Sequence, residues 1–141
     1  MKICVTANGE GLDSEVDPRF GRCRYFVIYD FETESVESIP NVALEASGGA
    51  GIKASEALAK AGVDILLTGR LGPNAFSIFT EAQIDIETGA KGTVREAIAQ
   101  HEAGVLELIQ GPNSVPHSGV KKGGGARKKR VNELQSSRLE Q

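Results

Sequence analysis

The stretch Asp17-Pro18-Arg19-Phe20-Gly21-Arg22-Cys23-Arg24 gathers three arginines, an aromatic ring and a thiol within eight residues. Guanidinium forks grip oxyanions through paired N–H donors, and a ring beside them can stack or exclude water. A second stretch, Ser47-Gly48-Gly49-Ala50-Gly51, carries three glycines in four positions and runs into a helical pattern. Glycine lets the backbone approach a ligand with no Cβ in the way, and the helix start behind it offers unpaired N–H groups. Two more loops of the same kind follow, Gly69-Arg70-Leu71-Gly72-Pro73-Asn74 and Gly89-Ala90-Lys91-Gly92-Thr93. The chemistry these residues share is the binding of an anion. A plainer account stands beside it: Asp17 pairs with an arginine, Phe20 plugs the core, and the glycines make tight turns.

The elements between these loops decide whether they meet. Lys2 to Ala7 and Tyr25 to Asp30 have the β-branched and aromatic content of strands, and residues 35 to 39 form a weaker third that stops at Pro40. The short link 31 to 34 makes the last two an antiparallel hairpin. Ile52 to Ala61 reads as a helix ended by Gly62, and the apolar run Val63 to Gly69 as a strand covered on both faces. Pro73 suits the first turn of a second helix whose apolar face is Ala75, Phe76, Ile78, Phe79 and Ala82. Ile84 to Glu87 is a short strand, and Thr93-Val94-Arg95-Glu96 is a capping box opening a third helix. Val94, Ala97 and Ile98, continued past Gly104 by Leu106 and Ile109, are its packing side, and His101 is expected in solvent.

Open α/β sheets bind ligands outside the carboxyl ends of their strands. Each glycine loop here enters a helix at such an end, and the arginine loop follows the first strand. Of nine basic residues in 1–110, four (Arg19, Arg22, Arg24, Arg70) sit in these loops. The expected ligand-contacting set is therefore Asp17, Arg19, Phe20, Gly21, Arg22 and Cys23; Ser47, Gly48, Gly49, Ala50 and Gly51; Gly69, Arg70, Gly72 and Asn74; and Gly92 with Thr93.

Composition narrows the class. Residues 1–110 hold nine Lys/Arg against seventeen Asp/Glu, a balance of −8, whereas residues 111–141 hold seven against two, a balance of +5. The first segment reads as one α/β domain and the second as a disordered basic tail rich in glycine, with Arg127-Lys128-Lys129-Arg130 at its centre. No apolar run approaches the roughly 18 residues that span a bilayer, and no leader is recognisable, so a cytoplasmic protein is expected. Cys4 and Cys23 lack metal-site spacing and read as free thiols. There is no Ser-His-Asp set, no His-Glu-x-x-His and no lysine after a Walker-type loop, which points to binding and not catalysis. Gly49-Ala50-Gly51-Ile52-Lys53-Ala54 formally matches a dinucleotide fingerprint, but no strand leads directly into it and Arg70 stands where an acid for the ribose belongs.

Four motifs in order, Asp17-Pro18-Arg19-Phe20-Gly21-Arg22-Cys23, Ser47 to Gly51, Leu67-Thr68-Gly69-Arg70-Leu71-Gly72-Pro73-Asn74-Ala75-Phe76 and Gly92-Thr93-Val94-Arg95-Glu96-Ala97, resemble the dinitrogenase iron-molybdenum cofactor biosynthesis family over residues 1 to about 110. The resemblance implies a three-layer α/β/α, ribonuclease-H-like fold, with a mixed sheet of about five strands that begins as an antiparallel meander. It also implies non-covalent carriage of an anionic metal–sulfur cluster, either iron-molybdenum cofactor or its precursor, or the molybdenum–copper sulfide type of the orange-protein branch. Donor and acceptor proteins for the cluster are the implied partners, and a monomer is expected. The chain has no dense histidine or cysteine set for direct ligation, so Cys23 reads as a soft contact only. Two other functions compete: a module that binds an acidic protein or nucleic acid through the basic tail, and a nucleotide-using enzyme.

Overall fold

Alternation along the strands sorts the apolar side chains onto two faces. In β1 (Lys2–Ala7), Ile3, Val5 and Ala7 point to one side and Cys4 to the other. The same division runs through β2 (Tyr25–Asp30), with Phe26 and Ile28 opposed to Val27, and β4 (Ile65–Leu67), with Leu66 opposed to its neighbours. The computed structural model describes residues 1–41 and 50–111. With β3 (Val36–Pro40), β5 (Asp85–Thr88) and β6 (Glu107–Leu108), the strands form one sheet in the order β3-β2-β1-β4-β5-β6. β1, β4 and β5 are parallel, β1-β2-β3 is an antiparallel meander, and β6 runs antiparallel to β5.

α1 (Ala50–Lys60) and α2 (Pro73–Glu81) cover one face, where Leu58 and Phe79 meet Cys4, Phe26 and Leu66. α3 (Val94–Ala103) covers the other, setting Val94, Ala97 and Ile98 against Ile3, Val5 and Leu67. This is the three-layer, ribonuclease-H-like arrangement, with three strands whose carboxyl ends open at one rim of the sheet. The capping box forms as read: Thr93 Oγ1 accepts from Glu96 N at 3.1 Å while Glu96 Oε1 accepts from Thr93 N at 2.9 Å.

Three expectations are corrected. The sheet has six strands, because Gly104 takes the left-handed conformation (φ 75°) and turns the chain back into β6; Leu106 packs with Val94, Ala97 and Ile98 as expected, whereas Ile109 packs on the α1 and α2 face. β3 runs through Pro40, which is tolerated because β3 is an edge strand. His101 is fully buried, not solvated, and its Nδ1 lies 2.8 Å from Glu87 Oε1. The tail and its basic run lie outside the described residues.

Candidate functional site

Loops far apart in sequence are stitched together at the carboxyl ends of β1 and β4. Pro18 O accepts from Gly69 N at 2.8 Å and from Arg70 N at 2.6 Å, and Phe20 N donates to Arg70 O at 3.0 Å. Beneath this seam Thr6 is wholly buried; its hydroxyl donates to Asp17 O at 2.5 Å and sits 2.9 Å from the Thr68 hydroxyl. The approach is possible because residue 69 is glycine: a Cβ there would stand 2.5 Å from Pro18 O and 2.7 Å from Pro18 Cβ. Neither atom is the end of a flexible chain, so Gly69→Ala is expected to part the two loops and destabilise the fold by about 1–3 kcal/mol, read by chemical denaturation.

On one side of the seam lies a cleft of about 400 Å³ bordered by Arg19, Phe20, Gly21, Arg22, Gly51, Arg70, Gly72 and Asn74. The starts of α1 and α2 both reach it, and neither helix has an acidic residue in its first turn. α2 begins at Gly72 with no side-chain cap, and its first backbone bond is Phe76 N to Gly72 O at 3.1 Å. The Asn74 and Ala75 N–H groups thus take no acceptor among the described residues, which leaves the positive end of that helix uncompensated.

The three guanidinium groups of the cleft are not equivalent. Arg19 is tied to Asp17, with Nε 3.1 Å from Oδ1 and a second terminal-nitrogen bond of 3.2 Å to Oδ2. Burial pushes the Asp17 carboxyl up, but the side-chain and backbone bonds from Arg19 and its charge outweigh that and hold it below the ordinary value of 3.8. Its stabilisation is therefore complete above that value and is lost only as pH falls through the lower folded one. Arg22 and Arg70 are exposed, and among the described residues no carboxylate pairs with either. Arg24 borders none of the clefts described here.

Across the seam is a second cleft, also about 400 Å³, where Gly69 and Gly92 lie with Pro18, Thr68, Thr88 and Lys91. The loops read as one site are thus split by the Pro18–Gly69 contact into two neighbouring hollows. Lys91, absent from the sequence-based set, borders the second; its position between Gly89 and Gly92 was the available signal.

Several expected contacts turn out to serve packing. Phe20 is a core plug, its ring 5.3 Å from Phe79 and 5.6 Å from Phe26. Thr93 is occupied as the cap of α3. Cys23 is fully buried and its thiol donates to Phe20 O at 3.3 Å, so it lies beneath the cleft and not on its wall. Burial, reinforced by the Asp17 carboxylate, pushes that thiol up to about 12, and burial raises Cys4 well above its ordinary value. Native protein at pH 8 is accordingly expected to leave both cysteines unmodified by a thiol-exchange reagent, with both reacting once denaturant is added. Ser47, Gly48 and Gly49 lie outside the described residues, and for Ala50 only its place at the start of α1 is described.

Comparison with known proteins places this geometry. Residues 1–104 match the family model described as dinitrogenase iron-molybdenum cofactor. The apo form of the orange protein from Desulfovibrio gigas superposes with a TM-score of 0.75 at 44% identity, covering 79% of this chain and 95% of that one. A NifB-type protein of the DUF35 family from Thermotoga gives a TM-score of 0.68 at 36% identity, covering 76% and 91%. An uncharacterised protein of Methanocaldococcus jannaschii is 30% identical over 113 residues, which are 78% of this chain and 92% of the relative.

Proposed function

Because the chain belongs to the dinitrogenase iron-molybdenum cofactor family, we propose that it is a non-catalytic carrier that holds an anionic metal–sulfur cluster in the arginine cleft. One observation carries this reading: Arg22 and Arg70, exposed guanidinium groups with no carboxylate partner among the described residues, share one cleft with the starts of α1 and α2. A sulfide cluster is a bulky polyanion whose metals arrive already ligated. Guanidinium forks and backbone N–H groups hold such a cargo from outside its coordination shell. Among the described residues no three His, Cys, Asp or Glu side chains gather into a metal-binding group, which suits outer-sphere holding. Arg19, locked by Asp17, shapes the rim and contributes little net charge.

The cluster is of the iron-molybdenum cofactor or precursor type, or the molybdenum–copper sulfide type, and proteins that donate or receive it are the partners. The protein works as a cytoplasmic monomer; none of the described helices is long and apolar enough to cross a membrane. The test is anaerobic titration with tetrathiomolybdate, with and without copper, followed by gel filtration with visible detection. Colour that elutes with the protein in fixed proportion supports the reading, and colour that elutes wholly as free reagent overturns it.

A further inference from the structure

The two faces of the sheet are unequally covered. Two helices, α1 and α2, pack on one face, whereas among the described residues α3 is the one helix on the other, lying over β1. The loop carrying Leu12 and Val16 covers the middle of the β2–β3 half of that face, where Val27 is fully buried and Gly11 N donates to Ser38 Oγ at 2.9 Å, and the more exposed part is the edge at Tyr29 and Val36. There Tyr29 and Phe31 stack edge to face with centroids 5.1 Å apart and border a groove of about 250 Å³ beside Leu12 and Ile98. Val36, paired with Tyr29 across the strands, is 41% exposed, an unusual exposure for a large apolar residue in this fold.

The surroundings of the groove are acidic. The turn after β2 carries Glu32 and Glu34, Asp30 being turned to the other face beside Lys2, and Glu102 of α3 lines the opposite wall. From Arg24 to Lys53 the sequence holds no lysine or arginine between them. The cation of the groove, Arg95, is engaged with Asp13 at 3.2 Å. An apolar, aromatic trough with carboxylates at its edges fits a segment that is basic and carries a few apolar side chains.

This chain contains such a segment. Arg127-Lys128-Lys129-Arg130 is followed by Val131, Leu134 and Leu139, spaced i, i+3, i+8 as on one helical face. Reach is sufficient. Ile109 N donates to Ile86 O, so the chain leaves the sheet running toward the amino ends of the parallel strands, the end that also bears the turn after Tyr29. From β6 to β2 is four strand steps, roughly 19 Å. The fifteen residues 112–126 extend to at most about 50 Å.

We propose that residues 127–139 dock in this groove of their own chain, the cations against Glu32, Glu34 and Glu102, and Val131 and Leu134 against Tyr29, Phe31 and Val36. The groove lies on the α3 face, away from the arginine cleft between the starts of α1 and α2, so docking leaves that cleft open. The inference stands apart from the cargo reading and needs no cluster for its test.

Cys4 and Cys23 are buried, so a nitroxide on Ser136→Cys labels the full-length chain at one site. In amide spectra the label is expected to erase the signals of Tyr29, Phe31, Val36 and Glu102 while leaving those of Arg22, Arg70 and Asn74, and dilution is expected to change nothing. Leu134→Asp, a change outside the body of the fold, is expected to restore the lost signals. Retention of the groove signals, or loss centred on the arginine cleft, overturns the proposal. Loss that fades on dilution also overturns it, by making a second copy the occupant.

Discussion

Replacing Arg22 and Arg70 together with alanine is expected to weaken cluster uptake by about two to four powers of ten while leaving the fold intact. Hydrogen bonds to charged groups contribute about 1.5–3 kcal/mol each, and two of them acting on one polyanion give that range. Both side chains are exposed and, among the described residues, have no ion-pair partner. Their loss should therefore move stability by no more than about 0.5 kcal/mol. Removing Asp17 and Arg19 as a pair, which deletes charges that already cancel, is expected to cost less than about tenfold. Arg19→Ala alone is a poor probe, since it leaves the buried Asp17 carboxylate uncompensated beside the cleft. Titration of the three variants with tetrathiomolybdate and copper, each checked by thermal unfolding, reads out both quantities.

The largest expected effect on stability belongs to the other side of the sheet. His101 and Glu87 are 0% and 4% exposed and meet at 2.8 Å, joining α3 to the end of β5. Truncating His101 strands the Glu87 carboxylate in the core, and truncating Glu87 removes a buried bond of the imidazole, at a cost of about 3 kcal/mol or more for the former. His101→Ala and Glu87→Ala should each lower the denaturation midpoint strongly. The double change Glu87→Met with His101→Leu, which keeps volume and removes both polar groups, should recover most of the loss. Equal loss in all three variants would mean that packing, and not the polar contact, sets the cost.

That pair also shows where sequence reading succeeds and fails. Val94, Ala97, Ile98 and His101 follow i, i+3, i+4, i+7, so the histidine was on the packing side by the same periodicity that placed its neighbours. Reading it as solvated let residue type override position. Glu87 escaped notice because an acid closing a short strand looks like a solvated end, and only β6 beside it closes that edge. The loops were legible because glycine and arginine at strand ends have few other uses, and their placement at one rim follows from parallel β1, β4 and β5. The seam that divides them was not legible. It depends on a missing Cβ at Gly69 and on the carbonyl of Pro18, neither of which leaves a pattern in side-chain chemistry. Cys23 is a like case: its place beside three arginines suggested a contact, while the three-residue turn Phe20–Arg22 rolls it inward with Phe20.

The central claim is that the cargo sits between Arg22, Arg70 and the starts of α1 and α2. Amide chemical-shift mapping during anaerobic addition of tetrathiomolybdate and copper addresses it most directly. The largest changes are expected at Gly21, Arg22, Gly51, Arg70, Leu71, Gly72, Asn74 and Ala75, with Gly89 to Gly92 across the seam little affected. Changes centred on Gly89 to Gly92, or spread evenly over the molecule, would contradict the assignment.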